Sequence, residues 1–287
     1  MSMPDKRLNP YRDDIAADFL KGQVESRSFT EGVKHCIKAP LANLHHEPSS
    51  TSAIDSQALM GDCFTVFEEK NGWSWGQLQS DGYVGYIESV FLDQWTVPPT
   101  HRVNVLRTFL YPGPNMKLVS QGFVTLNAGV NITSFEGDFA RTMQGHYIFK
   151  EHLSPWSTPL AYDYVKIAEL FIATPYLWGG RSSIGIDCSG LVQMSLTASG
   201  KPALRDTDMQ ERTIGVPVEF SDDLSGLKRG DLVFWKGHVA IMASSSTILH
   251  ATAHHMMTFK EPLAKADKRI QERKNLKISS IRRLKPE

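Results

Sequence analysis

Gly185-Ile186-Asp187-Cys188-Ser189-Gly190-Leu191-Val192 is the stretch that decides how this 287-residue chain reads. A small polar run gives way to apolar Leu191, Val192 and Leu196, and Gly200 and Pro202 are stop signals, so a helix is predicted from Cys188 to Gly200. Cys188 falls in its first turn, flanked by Gly185 and Gly190. A helix N-terminus carries partial positive charge and unpaired N–H groups. The charge favours a thiolate, and the N–H groups are placed to hold an oxyanion. Cys36 and Cys63 lack such a setting and read as small buried hydrophobes. Cys188 is the candidate nucleophile.

A thiol nucleophile needs a base, and the chain has ten histidines. His238 opens a predicted strand directly after a turn glycine, in Lys236-Gly237-His238-Val239-Ala240-Ile241, and the next strand holds His250 in Ile248-Leu249-His250-Ala251. With a hairpin turn at Ser244–Ser246 the two histidines fall roughly opposite each other, and directly opposed residues share a face, where one imidazole orients the other. A slip of one residue would send one ring to the far face. The adjacent pairs His45-His46 and His254-His255 point to opposite faces of a strand and match no zinc spacing, so no metal is expected.

Further out, Thr158-Pro159 predicts a helix start, with Leu160, Tyr164, Ile167, Ala168 and Phe171 at helical spacing and Thr174-Pro175 as its stop. Beyond the Cys188 helix come strands at 232–235, 238–243, 248–251 and 277–283. Helices first and an antiparallel sheet afterwards define an α+β domain over residues 154–287. Residues 34–95 read as closely spaced strands forming a small barrel. Asn71-Gly72 is its clearest hairpin turn, and the run Tyr83-Val84-Gly85-Tyr86-Ile87 follows Asp81-Gly82. Residues 96–153 read as a weaker copy without the Trp73/Trp75 pair, assigned a packing role. Residues 1–33 form a polar arm expected to pack on the C-terminal domain.

Composition narrows the partners. Thirty-one basic and 31 acidic residues cancel, so nucleic acid and anionic membrane are not expected partners. The polar start, broken by Pro10, lacks a secretory signal, and three widely spaced cysteines give no disulfide framework. A cytoplasmic location is the expectation.

Five motifs in order then resemble the NlpC-like family of cell-wall cysteine peptidases. They are Pro175-Tyr176-Leu177-Trp178-Gly179-Gly180-Arg181, the Cys188 stretch, Arg229-Gly230-Asp231-Leu232-Val233-Phe234, Gly237-His238-Val239-Ala240 and Leu249-His250-Ala251. The resemblance implies a reduced papain-like fold, with Cys188 as nucleophile, His238 as general base, His250 as the third polar member and Tyr176 near the oxyanion. Two SH3-like modules before such a domain resemble the γ-D-glutamyl-L-diamino-acid endopeptidases of murein recycling. That likeness implies hydrolysis of stem peptides with a free N-terminal L-Ala, releasing L-Ala-D-Glu without a cofactor. It further implies Glu47, Tyr83, Asp187 and Ser189 as substrate-binding residues. A non-catalytic murein-peptide binder and a thioester-based acyltransferase are the alternatives on the same fold.

Overall fold

The computed structural model describes residues 3–94, 97–221 and 224–285. The chain divides into two compact units, Met1–Thr158 and Pro159–Glu287. The domain boundary expected at residues 95–96 lies outside the described residues.

The N-terminal unit is β-rich. Strands β1 (Val33–Ile37), β2 (Leu41–His45), β3 (Ile54–Leu59), β4 (Cys63–Lys70), β5 (Trp73–Leu78), β6 (Val84–Glu88) and β7 (Leu92–Gln94) form one seven-stranded sheet in the order β3-β2-β6-β5-β4-β1-β7. Asn71 and Gly72 join β4 to β5 with φ of 52° and 80°, the positive values a two-residue type I′ turn demands. Leu44, Phe64, Leu78 and Ile87 fill the core beneath the sheet. Cys36 and Cys63 face each other across β1 and β4 as free thiols. Residues 97–158 are also stranded but divide among three short sheets.

The N-terminal arm is folded. Tyr11, Ala16, Ala17, Leu20 and Val24 cluster with Phe67 and Trp75 of the sheet, burying apolar surface that a mobile arm would leave in water. Arg12 stacks over Trp75 at 4.4 Å and pairs with Glu68 at 2.7 Å. Docking on the C-terminal domain was the expectation; the apolar stripe Tyr11–Val24 instead finds its partners on the sheet of its own unit.

The C-terminal unit is α+β. It contains helices α1 (Tyr164–Leu170), α2 (Cys188–Ala198), α3 (Thr207–Thr213) and α4 (Leu263–Lys274). Its strands are β8 (Asp231–Trp235), β9 (His238–Met242), β10 (Thr247–Thr252), β11 (Met257–Pro262) and β12 (Ser280–Arg283). The sheet runs β12-β8-β9-β10-β11, with Val216–Pro217 added beyond β12. Arg283 clamps the fully buried Asp231 through two 2.6 Å bonds and so ties the C-terminal strand to β8.

Three expectations are corrected here. The first helix starts at Tyr164 because the Asp163 side chain accepts the Val165 N–H; residues 159–163 precede it as irregular chain, and the Leu160 N–H bonds Ala198 O. Helices do not simply precede the sheet, since α4 lies between β11 and β12, burying Leu263 and Ala266 against the sheet core. Finally, the ladder pairs Ile241 with Leu249 and Met242 with Ile248, which sets His250 two places off the residue opposite His238. A two-place offset keeps both rings on one face, within reach as diagonal neighbours.

Candidate active site

Helix α2 presents Cys188, and glycines make its approach possible. A Cβ on Gly190 would strike the Gly180 carbonyl oxygen, so only glycine lets α2 begin against the Gly179-Gly180 turn. Asp187 caps the helix by accepting the Gly190 N–H at 2.7 Å, and its other oxygen accepts the Gly179 N–H at 2.9 Å. The buried Arg205 guanidinium completes the set with bonds of 3.0 and 2.5 Å to the same carboxylate and 2.8 Å to Ser189 Oγ. Ser189 in turn donates to Asp187 Oδ1 at 3.2 Å. The side chains of Asp187 and Ser189, both 6% exposed, are therefore occupied in fixing the start of α2. Any contact they make with a ligand competes with these bonds.

Cys188 Sγ receives the backbone N–H of Val239, the residue after His238, and lies 3.9 Å from Thr207 Oγ1. The thiol is therefore seated against the start of the strand that carries the candidate base. Burial pushes this thiol up to about 11, and the Asp187 carboxylate adds to the effect. The Val239 N–H, Thr207 and Arg205 pull the other way without overcoming it. The expectation that the helix terminus stabilises a thiolate is corrected: burial and the negative charge of Asp187, which also takes up the Gly190 N–H, act against it.

On the sheet side, His238 Nε2 lies 2.8 Å from His250 Nδ1, and His250 Nε2 lies 3.0 Å from Glu261 Oε1. Arg269 of α4 grips both oxygens of Glu261. Burial alone would raise the Glu261 carboxyl, but hydrogen bonds from Arg269 and His250 outweigh it and hold the group ionised far below the usual range. An ionised Glu261 only accepts, so His250 carries its proton on Nε2 and offers a bare Nδ1. His238 then donates from Nε2 and keeps Nδ1 as its free lone pair. Burial, then the neighbouring His250 and the charges of Lys274 and Arg269, push His238 well below the ordinary imidazole value; burial likewise lowers His250 against the pull of Glu261. Both shifts favour uncharged groups at rest, a thiol at Cys188 and an imidazole of fixed tautomer at His238.

Tyr176 is half-buried on the wall of a cleft that also includes His238. Burial and the nearby Cys188 and Asp187 raise its phenol, which stays a hydrogen-bond donor. Trp178 on the same wall is 68% exposed. Glu47 and Tyr83 belong to the N-terminal unit: Glu47 is exposed between β2 and β3, and Tyr83 is 4% exposed, its N–H bonded to Asp81 Oδ1 at 3.0 Å. Arg205, Glu261 and Arg269 were absent from the reading of the sequence. Leu263, Ala266 and Ile270, at helical spacing just after Pro262, are the signal that would have revealed α4 and with it Arg269. Arg205 leaves no local signal.

Residues 44–90 match the bacterial dipeptidyl-peptidase SH3 domain, and residues 173–273 match the NlpC/P60 family. The chain is 27% identical over 240 residues to dipeptidyl-peptidase 6 of Lysinibacillus sphaericus, covering 75% of this chain and 86% of the relative. It is 26% identical over 221 residues to the γ-D-glutamyl-L-lysine dipeptidyl-peptidase of Bacillus subtilis, covering 70% and 73% respectively. The crystal structure of an NlpC/P60 family protein from Bacillus cereus superposes with a TM-score of 0.73 at 23% identity. That match covers 88% of this chain and all (100%) of the other, a likeness of fold.

Proposed function

We propose that this chain, which carries an NlpC/P60-family cysteine-peptidase domain with an associated SH3-like domain, hydrolyses the γ-D-glutamyl-L-diamino-acid bond of murein stem peptides. Cysteine-peptidase chemistry on peptidoglycan-related substrates follows from the family; the particular bond is our reading, supported by the dipeptidyl-peptidase names of its relatives. The observation that carries the mechanism is the run from His238 through His250 to Glu261, which leaves a bare imidazole nitrogen on the strand whose Val239 N–H holds Cys188 Sγ.

The neutral resting pair sets the order of events. As Cys188 Sγ attacks the γ-carbonyl carbon, its proton passes to His238 Nδ1, and the Nε2–H to His250 stabilises the imidazolium. The free Cys188 N–H at the start of α2 and the Tyr176 hydroxyl are the donors for the oxyanion. Collapse breaks the C–N bond while His238 returns its proton to the leaving amine, giving a thioester. A water, deprotonated by His238, then cleaves the thioester, releases L-Ala-D-Glu and restores the thiol. We further assign residues 34–95 and 96–153 to two SH3-like modules, and Glu47 and Tyr83 to recognition of the substrate's free N-terminal amine. A buried ammonium needs such a carboxylate or a fixed set of acceptors.

The test is cleavage of L-Ala-γ-D-Glu-meso-diaminopimelate followed by mass spectrometry, with and without N-acetylation, in wild type and Cys188→Ala. Release of L-Ala-D-Glu from the free peptide alone, lost in the variant, is the expected result. Cleavage of both peptides removes the amine-recognition role of Glu47 and Tyr83. Cleavage of neither, or cleavage by Cys188→Ala, overturns the proposal.

A further inference from the structure

Cys36 and Cys63 stand directly opposite each other on β1 and β4, both as free thiols. The ladder bonds fall on either side of them. Ile37 N–H donates to Asp62 O at 3.0 Å, while Cys63 O turns away from β1 and accepts the Gln79 N–H at 2.9 Å. The two cysteines therefore form a non-hydrogen-bonded pair, the closer of the two antiparallel arrangements, with Cα atoms about 4.5 Å apart. Ile37 and Phe64, each one residue on, point into the core, so both thiols lie on the outer face of the sheet with Lys34 and Thr65. Their access differs. Cys36 is half-buried and donates its S–H to Gln94 O at 3.6 Å, whereas Cys63 is 8% exposed. Neither thiol has a part in the proposed reaction.

We propose that Cys36 and Cys63 are a modification site, a dithiol that a small-molecule disulfide oxidises to a reversible cross-strand bridge. The more open Cys36 loses its proton and attacks the reagent, forming a mixed disulfide and releasing one reagent thiol. The Cys63 thiolate then attacks the Cys36 sulfur, and the second reagent thiol leaves. Two protons and two electrons pass from the cysteines to the reagent. The same geometry sets both closure and lability. About 4.5 Å is the lower edge of the Cα separations a disulfide spans, so the bridge is within reach of the paired strands but carries strain. A strained bridge is the more readily reduced one. Burial pushes both thiols up, and the Asp93 carboxylate adds to the effect on Cys36, so closure is slow at neutral pH and quickens in alkali.

The whole protein is incubated with glutathione disulfide at about pH 8.5, denatured, treated with N-ethylmaleimide and mapped by mass spectrometry without prior reduction. Cys36 and Cys63 should both escape labelling and appear as one cross-linked peptide. Millimolar reduced glutathione should return both to the labelled form. In Cys63→Ser, which leaves Cys36 without a partner, the reaction should stop at a glutathione adduct on Cys36. A lasting adduct on Cys36 in wild type, a bridge from either cysteine to Cys188, or full labelling of Cys36 and Cys63 overturns the site. A bridge that withstands reduced glutathione overturns its reversibility.

Discussion

Two arginine–carboxylate pairs, Arg205–Asp187 buried and Arg269–Glu261 partly buried, flank the candidate nucleophile and base, and they differ in what lies beyond them. On the helix side, Asp187 and Arg205 exchange bonds with each other, with Ser189 and with two backbone N–H groups, closing a loop. On the sheet side, Arg269 grips Glu261, but Glu261 leads on to His250 and His238, groups whose protons have two possible positions. The same chemical pair thus fixes a backbone in one place and a proton in the other. A static clamp reports on stability; a clamp acting through imidazoles reports on rate.

The largest effect is expected from Glu261→Gln. The amide oxygen still accepts from Arg269, so the NH2 group must face His250 Nε2. His250 then keeps its proton on Nδ1 and His238 is forced to protonate at Nδ1, the position that should receive the thiol proton. A wrong tautomer at a catalytic imidazole costs on the order of 10⁴-fold in rate, and a loss in kcat of about 10²–10⁴-fold is expected here with KM little changed. Glu261→Asp, which restores an acceptor at shorter reach, should recover part of it. A folded Glu261→Gln enzyme with kcat within about threefold of wild type would break the contrast and make the sheet-side pair as static as the other.

Arg205→Met sharpens the other half. Removing one partner of a buried ion pair leaves an uncompensated charge and costs about 3–5 kcal/mol. Chemical denaturation should show that loss, and Asp187→Asn added to Arg205→Met should return much of it, because the stranded charge is gone. Activity per folded molecule should fall less than in Glu261→Gln. A kcat collapse at full stability would mean Arg205 acts on the chemistry directly.

These two pairs also show what the sequence made legible. The turn at Asn71-Gly72 and the helix start at Cys188 were readable because each depends on a few adjacent residues. That His238 and His250 share a face was readable from strand parity, while their two-place offset depends on where the hairpin closes, at Ala243–Thr247. The arginines were hidden for different reasons. Arg205 reaches Asp187 from a segment without repeating pattern, 18 positions away in the chain. Arg269 was hidden with α4, whose four apolar positions sit in a run dominated by charge. Pattern reading finds the surfaces that pack; a charge buried by a single long side chain follows only from tertiary placement.

The smallest effect, and the most direct comparison of the two sides, is the titration of Cys188 in the absence of substrate. Its thiol is pushed up to about 11 while His238 is pushed below the ordinary imidazole value, so at neutral pH neither is charged. Alkylation of Cys188 by iodoacetamide should therefore climb steadily from pH 7 towards 11, with no plateau at neutral pH. The linked stability has a definite sign. For the thiol, whose folded value is raised, the contribution is complete below the unfolded value of 9.0 and is lost as pH rises through about 11. For His238, whose folded value is depressed, it is present above the unfolded value of 6.5 and is lost as pH falls below it. A Cys188→Ala protein should keep the acid limb and lose the alkaline one. A plateau of fast alkylation already reached at pH 6 would instead mean that the resting site is a thiolate–imidazolium pair. In that case the helix terminus would outweigh Asp187, and the neutral chain from Glu261 to His238 would describe only a later stage of the reaction.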